Sequence, residues 1–433
     1  MKKNGFTLVE ITVCVVLLVT IFLLVVPKVN TMINNKKKNA YNSLISTVKD
    51  AAQAYVYLNV NIVDDAIESQ GYYEVSIRTL QENELLENKL ENPLTGKNIP
   101  STSIVKIIKN NEEYIYKFSL DYQYLLEHII DLYSSEETRI SNGLKKDNTP
   151  DQNIRYYGSN PNNYVSFNNE LWRIIGVFGN NVKLVRKDSL GSLSWDSSES
   201  SINGGVGINQ WGESKDADGN EYAGADLQVY LNKMYYGGTS VTCYGGTKNS
   251  TTTCPTNTLD NTAKALIDNH TWNTGAPNHS TLYNSTTQSY DTVEFYKAER
   301  GTVNGKICSS GTYCNDTVTR TTEWTGYIGL PYVTDWAYAS SENDCNTKID
   351  RSSTYKCKNN NWMHRSTSTW YMSPYAFPNN ATSVWYVYGD GSSGLSLAAD
   401  ALSAFPTIYL KSNVIIESGN GTSSSPYILK AGS

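Results

Sequence analysis

The clearest pattern of apolar positions lies at the start of the chain. An almost unbroken apolar run extends from Ile11 to Val26, and Lys2 and Lys3 precede it. A helix over residues 6–26 would rise about 30 Å, which is the thickness of the hydrocarbon layer of a bilayer. No small-residue cleavage site ends the run, so it predicts a transmembrane helix with a cytoplasmic N-terminus and the rest of the chain outside.

Helical periodicity continues beyond this run, where apolar residues recur at Leu44, Val48, Ala51, Ala52 and Tyr55. This spacing predicts that the helix continues as an amphipathic stalk. A shorter helical piece around Ile77 and Leu80 follows. Strand-like runs at 103–108 and 114–120 then predict a hairpin. We expect these elements to form a first domain over residues 27–133.

The pattern changes in the second part of the chain. Residues 134–153 are polar and charged, which favours a linker. Short β-like runs at 171–178 and 182–185 are separated by Gly, Asn and Ser, and they predict a loop-rich mixed α/β domain over 154–433. The fold class expected for the whole chain is therefore α+β: a long N-terminal transmembrane and stalk helix, a small antiparallel sheet, and this second domain.

One residue of the predicted transmembrane helix 6–26 has a charge. Glu10 would place a carboxylate inside the membrane, which costs a few kcal/mol and usually marks a function with a specific partner. A plain signal anchor that happens to contain an acid is the alternative.

The residues around Glu10 read Gly5-Phe6-Thr7-Leu8-Val9-Glu10. This segment resembles the processing and methylation motif of type IV prepilins and type II secretion pseudopilins. The resemblance implies that prepilin peptidase removes the leader 1–5 by cutting between Gly5 and Phe6, and that Phe6 becomes N-methylated. It also implies that Glu10 pairs with the terminal amine of a neighbouring subunit. Pro27 lies where pilin helices commonly kink.

Composition narrows the range of partners. The formal net charge is −6 and the pI is near 5.4, so nucleic acid is not an expected partner. Tyr outnumbers Phe by 32 to 8, which favours aromatic side chains that can remain half-exposed. This aromatic composition is typical of a surface protein.

Six of the seven cysteines lie in the second domain and form three pairs that are close in sequence: Cys243 with Cys254, Cys308 with Cys314, and Cys345 with Cys357. Six thiols allow fifteen connectivities, and we favour pairing between nearest neighbours. A zinc site is the alternative, but no Cys-x-x-Cys occurs and the four histidines do not cluster with the cysteines at ligand spacing.

Several phrases of the second domain, among them Leu171–Gly176 and Gly329–Trp336, resemble extracellular domains of Firmicutes surface proteins that look distantly like the C-type-lectin or formylglycine-generating-enzyme fold. Trp336, Trp362 and Trp370 are candidate stacking platforms for a glycan or a host or matrix surface. The alternative is that these tryptophans form the core.

Metal and catalytic signals are weak. Asp216, Asp218 and Asn220 surround a glycine turn and are candidate calcium ligands, although a solvated turn fits their spacing better. The chain contains no His-Glu-x-x-His, Gly-x-Ser-x-Gly or Walker motif. We therefore expect no enzyme activity and no cofactor.

The sequence as a whole predicts a pilin-like subunit, of the minor or tip type, in a surface filament. The expected partners are other pilin subunits, prepilin peptidase, the membrane, and an extracellular ligand of the second domain. The expected location is the cell membrane before assembly and the cell surface or pilus afterwards. The alternative is a pseudopilin of a type II-like secretion or DNA-uptake machine.

Overall fold

The computed structural model describes residues 36–37, 39–93, 98–110, 113–118, 123–197, 210–215, 221–303, 306–307, 321–351, 356–376 and 382–432. The chain divides after Gln123 into two compact units, Met1–Gln123 and Tyr124–Ser433, which we call the N-terminal and C-terminal units.

The N-terminal unit combines helices with one small antiparallel sheet. Its elements are helix α1 over residues 39–58, α2 (Val60–Gln70), β1 (Tyr73–Ser76), α3 (Ile77–Glu82), β2 (Ile104–Asn110) and β3 (Glu113–Phe118). Strand β2 lies between β1 and β3 and pairs antiparallel with both. The hairpin expected from the sequence is therefore present, with its strands one or two residues from the predicted bounds.

One face of α1 contributes to the core of this unit. Val48 and Ala52 are four residues apart and fully buried, and Val56 lies one turn further on. They belong to the same apolar cluster as Val105 and Ile107 of β2. The intervening polar residues face away from this cluster, so the amphipathic pattern read from the sequence is the pattern that buries the helix.

The structure corrects the predicted fold class and localisation. In the part of the chain that the structure describes, no helix is both long and apolar enough to cross a membrane. α1 includes Lys49 and Asp50, and α2 begins immediately after a break at Asn59. The remaining described helices are short and the described chain is mostly β. For the described residues, the predictions of a long N-terminal membrane and stalk helix and of a single-pass membrane location are therefore contradicted.

Some predicted features lie outside the described residues. These are the proposed membrane segment 6–26 and the site residues Gly5, Phe6, Glu10 and Pro27.

The C-terminal unit is built largely of strands, with short helices between them. Its helices are α4 (Leu125–Ser134), α5 (Glu136–Ser141), α6 (Asp226–Val229), which continues as a π-helix (Tyr230–Tyr236), α7 (Asn261–Leu266), α8 (His279–Leu282), α9 (Thr292–Glu299), α10 (Val333–Tyr338) and a 3-10 turn (Asn343–Asn346).

The strands that follow the N-terminal unit are β4 (Gln123–Tyr124), β5 (Leu144–Lys146), β6 (Ile154–Tyr156), β7 (Tyr164–Phe167), β8 (Glu170–Phe178), β9 (Asn181–Arg186), β10 (Ser192–Ser194), β11 (Ser214–Lys215), β12 (Glu221–Tyr222), β13 (Cys243–Tyr244), β14 (Thr251–Thr252), β15 (His270–Asn273), β16 (Tyr283–Asn284), β17 (Ser289–Asp291), β18 (Thr302–Val303), β19 (Lys306–Ile307), β20 (Glu323–Gly326), β21 (Ile328–Gly329), β22 (Lys348–Asp350), β23 (Thr369–Pro374), β24 (Ser383–Val387), β25 (Ser393–Leu397), β26 (Ala401–Ser403), β27 (Thr407–Leu410), β28 (Val414–Ser418) and β29 (Tyr427–Ala431).

A large mixed sheet organises this unit. Its strands run in the order β21-β27-β9-β8-β7-β29-β28, and β6 also pairs with β8. Strand β29 pairs parallel with β7, although more than 250 residues separate them along the chain. A second sheet has the order β10-β26-β23-β24-β25. The residues read as a linker, 134–153, contain α5 and β5, and Asp147 among them is buried, so this segment is part of the C-terminal unit.

Disulfides close two of the three predicted cysteine pairs. Cys243 is bonded to Cys254 and Cys345 to Cys357, which confirms nearest-neighbour pairing at these sites. Cys308 and Cys314 lie outside the described residues. Disulfides persist in oxidising compartments, so these two bonds favour an extracytoplasmic protein.

The core of the N-terminal unit is open to a direct test. Ile107→Ala removes a fully buried side chain from the central strand, and we expect it to lower the free energy of unfolding by about 2–5 kcal/mol. Ile115→Ala on the neighbouring strand is the control, because that side chain is 38% exposed. Hydrogen exchange of the β1–β3 amides in the full chain measures both effects. Equal effects of the two variants would contradict this description of the core.

Candidate functional site

A cluster of buried charged side chains in the C-terminal unit surrounds Asp335. Its Oδ1 accepts a hydrogen bond from Arg155 Nη1 at 2.5 Å, and its Oδ2 accepts one from Lys183 Nζ at 2.6 Å. Oδ2 also accepts from the backbone N–H of Tyr332, the N-cap residue immediately before α10. All three charged side chains are at most 1% exposed. One carboxylate therefore neutralises part of the charge of two cations away from water.

The register of the large sheet brings the two cations together. Arg155 of β6 lies opposite Gly176 of β8, and Gly176 lies opposite Lys183 of β9. Directly paired residues point to the same face of a sheet, so the two long side chains share one face and flank a residue that has no side chain. A Cβ at position 176 would come within 2.1 Å of the carbonyl oxygen of Ile154. Only glycine fits this close approach of β6 to β8.

Arg155 has a second carboxylate partner, Asp147. The Arg155 Nε donates to Asp147 Oδ2 at 2.8 Å, and Asp147 also accepts hydrogen bonds from Thr149 and Asn153. The aromatic rings of Phe178 and Tyr338 lie 4.4 and 5.1 Å from the guanidinium carbon of Arg155. The four charges of Asp147, Arg155, Asp335 and Lys183 cancel, and we call these residues the buried charge network.

Burial shifts the pKa values within this network. Burial lowers the pKa of Lys183 to about 8, although the adjacent Asp335 acts in the opposite direction. Burial alone would raise the pKa of Asp335, but Lys183 and Arg155 outweigh it and hold that pKa below its usual value. Both shifts reflect the competition between loss of water and ion pairing.

A further buried acid, Glu299, contacts the residue that precedes Asp335. Glu299 is fully buried at the end of α9, and it accepts hydrogen bonds from the backbone N–H and the hydroxyl of Thr334. Burial raises its pKa to about 7, while Arg300 at 3.8 Å opposes the shift. Glu299 is therefore partly protonated at neutral pH.

The geometry of the buried charge network is that of a structural core. The side chains of its four members are at most 1% exposed, so no ligand of appreciable size can reach them in this conformation. Asp151 and Arg300, 3.6 Å apart, are more exposed and connect to the network through Tyr296 and Asn153. Any reaction of the buried charge network is therefore a reaction between its own side chains.

A cleft of about 590 Å³ offers a more accessible site in the same unit. It is lined by Leu282, Tyr283, Asn284, Ser285, Thr287, Ser289, Asp291, Glu294, Thr347 and Lys348. Most of these side chains carry a hydroxyl, an amide or a charge, and they come from the β16–β17 hairpin, the start of α9 and β22. Such a lining can exchange several hydrogen bonds with a polar ligand.

Glu294 lines the cleft, and one of its two carboxylate oxygens can accept a further hydrogen bond. Asp291 caps α9 by accepting from the backbone N–H of Glu294 at 2.9 Å, which fixes the start of the helix at the cleft. The Glu294 side chain is 32% exposed, and its Oε1 accepts from Lys297 Nζ at 2.7 Å, whereas Oε2 is buried and has no hydrogen-bond partner among the described residues. A buried carboxylate oxygen without a partner is unfavourable, and because the side chain is partly exposed, a change of its rotamer would bring this oxygen to a ligand donor.

The ring of Tyr283, the aromatic residue that lines the cleft, packs against neighbouring side chains. Tyr283 lies 4.6 Å from the ring of His279 and 5.4 Å from the guanidinium of Arg351. Burial and the nearby Arg351 lower the pKa of His279, which favours the neutral imidazole. Tyr290 donates to or accepts from the same imidazole at 2.9 Å. These contacts fix the orientation of Tyr283 at the cleft.

The tryptophans proposed as ligand platforms lie elsewhere. Trp336 and Trp370 are fully buried and Trp362 is 4% exposed. The indole N–H of Trp362 donates to the carbonyl of Tyr156, and that of Trp370 donates to the carbonyl of Leu193. These residues form the core, because a loop-rich unit with many strands needs large side chains inside it. They cannot present a stacking face to a ligand in this conformation.

Other predicted sites fall outside the described part of the chain. Asp216, Asp218 and Asn220, the candidate calcium ligands, lie there. Among the described residues, no cluster of three or more His, Cys, Asp or Glu side chains has the geometry to hold a metal ion.

The cleft and the buried charge network were both missed in the sequence. The segment 283–291 reads Tyr-Asn-Ser-Thr-Thr-Gln-Ser-Tyr-Asp, and similar polar runs occur throughout this half of the chain. The only usable signal was an Asp at a helix start, three residues before an acid.

Comparison with protein-family models, with curated proteins and with solved structures finds no match to this chain.

The buried charge network should contribute strongly to stability. Asp147→Ala leaves part of the Arg155 charge unpaired, and we expect it to lower the free energy of unfolding of the C-terminal unit by about 3–5 kcal/mol. Glu417→Ala is the control, since its pair with Lys430 is half-exposed and screened by water. Urea denaturation of the full chain measures both. A loss for Asp147→Ala no larger than that of the control would show that the network is dispensable.

Glu299 should make stability depend on pH. Its folded pKa of about 7 exceeds its ordinary value of 4.5, so the folded state binds the proton more tightly. The contribution of Glu299 to the free energy of unfolding is fully present below pH 4.5. It is lost as the pH rises through 7, and the loss amounts to up to about 3 kcal/mol. Glu299→Gln should remove this component, which is measured as the difference between wild type and variant from pH 4.5 to 8. An unchanged pH profile in the variant would exclude this assignment.

Proposed function

We propose that the chain is a pilin-like filament subunit, of the minor or tip type, whose C-terminal unit binds a polar, hydroxyl-rich extracellular ligand without altering it chemically. The observation that carries the recognition part is the cleft, in which one Glu294 oxygen has no hydrogen-bond partner among the described residues. The segment from Gly5 to Glu10, with its likeness to the prepilin motif, carries the filament part.

The chemistry of the cleft supports a hydroxylated ligand. Asn284, Thr287 and Ser289 supply short polar groups, and Tyr283 supplies a ring held in a fixed orientation. The Glu294 oxygen is an acceptor suited to a ligand hydroxyl. Sugars combine apolar ring faces with hydroxyl groups, so this set of side chains fits a glycan better than an apolar ligand.

The N-terminal unit supports the filament part of the proposal. An amphipathic helix packed on a three-stranded antiparallel sheet follows the motif-bearing segment in the chain. The two described disulfides favour an oxidising compartment, which agrees with display outside the cytoplasm.

Ligand binding provides the test of the recognition part. The full chain should bind one class of glycan on an array, and Glu294→Gln should weaken that binding about tenfold or more, because a hydrogen bond to a charged group contributes about 1.5–3 kcal/mol. Tyr283→Ala should also weaken it through loss of the ring face. Glu417→Gln, an acid that does not line the cleft, should bind like the wild type. Absence of any glycan binding, or equal binding by Glu294→Gln and wild type, would refute the proposal.

A further inference from the structure

The arrangement of Lys183 and Asp335 is also that of two groups about to react. Lys183 Nζ and Asp335 Oδ2 are 2.6 Å apart. An amine that hydrogen-bonds to a carboxyl oxygen at this distance lies about 3.4 Å from the carboxyl carbon, which meets the distance condition for nucleophilic attack. Both side chains are at most 1% exposed, so bulk water neither solvates the amine nor competes with it.

We propose that Lys183 and Asp335 condense to an intramolecular amide, an isopeptide bond that covalently joins β9 to α10. This modification is independent of any ligand of the cleft. It requires no cofactor, oxidant or activating nucleotide, because the reactants are one amine and one carboxyl group and the only by-product is water.

The step balances in atoms and protons. Within the ion pair, one proton moves from the Lys183 ammonium to Asp335 Oδ2, which yields a neutral amine beside a neutral carboxylic acid. The nitrogen then attacks Cγ, a second nitrogen proton passes to Oδ2, and the bond from Cγ to Oδ2 breaks. Oδ2 leaves as water with both protons, and one proton remains on the amide nitrogen.

The neighbours of Asp335 are placed to assist this step. Negative charge develops on Oδ1 in the tetrahedral intermediate, and Arg155 Nη1 already donates to that atom. The backbone N–H of Tyr332 donates to Oδ2, the atom that leaves. Arg155 itself does not compete as a nucleophile, since its guanidinium remains protonated.

The surroundings favour the neutral reactants and the product. The rings of Tyr332, Phe178 and Tyr409 lie 4.2, 5.2 and 5.3 Å from Lys183 Nζ and replace water around it. Condensation reduces the formal charges in the network from four to two and leaves the pair of Arg155 with Asp147 intact. Removal of buried charge in this way relieves a desolvation penalty.

Mass spectrometry of the denatured, reduced and trypsin-digested full chain tests this proposal. An amide at Lys183 blocks cleavage there, so peptides 174–186 and 321–348 should be recovered joined, with a mass one water below their sum, in most chains. Lys183→Arg preserves the positive charge and should abolish the joined species. Lys430→Arg, at the half-exposed ion pair with Glu417, should retain it.

The same digest of the wild-type protein shows directly if the amide is absent. If most chains yield peptide 174–183 cleaved at an unmodified Lys183, together with a separate, unmodified 321–348, the amide does not form. This readout is made on the wild-type protein, so it does not depend on whether any variant folds.

Discussion

The C-terminal unit depends on a single electrostatic constraint: two cations that face the interior must be neutralised without water. Arg155 and Lys183 reach that interior from β6 and β9 on either side of Gly176. Asp335 is held at the first turn of α10, where the backbone N–H of Tyr332 also binds it. The position of this helix on the sheet is therefore set by charge as well as by packing, since any shift of α10 would leave a cation unpaired.

Periodicity in the sequence predicted the individual helices and strands better than it predicted the fold class of the whole chain. The hairpin of β2 and β3 and the amphipathic face of α1 follow from the spacing of residues such as Val48 and Ile107, because these patterns reflect burial directly. The disulfides follow from the short separation between their cysteines. The predicted fold class was wrong because it was inferred from the apolar start of the chain, whereas the described residues are dominated by strands.

The candidate sites were harder to predict, for a physical reason. Trp336, Trp362 and Trp370 were expected at a surface because aromatic rings bind sugars, yet rings of this size are also what fills a core between two sheets. The buried charge network joins residues that lie up to 188 positions apart, from Asp147 to Asp335, and no local pattern encodes their pairing. The Glu294 oxygen is recognised only from its surroundings, where the described part of the chain supplies it with no hydrogen-bond partner.

The parallel pairing of β29 with β7 affects how the C-terminal unit reaches its folded state. Residues 427–431 occupy an interior position of the large sheet, between β7 and β28, and not an edge. While the chain is being synthesised or exported, β7 emerges long before its neighbour exists, so one side of it remains an open edge. The sheet can close only after nearly all of the unit has left the ribosome or the export channel. The unit is therefore suited to folding in one late step, and during export it needs protection from pairing with the strands of other chains.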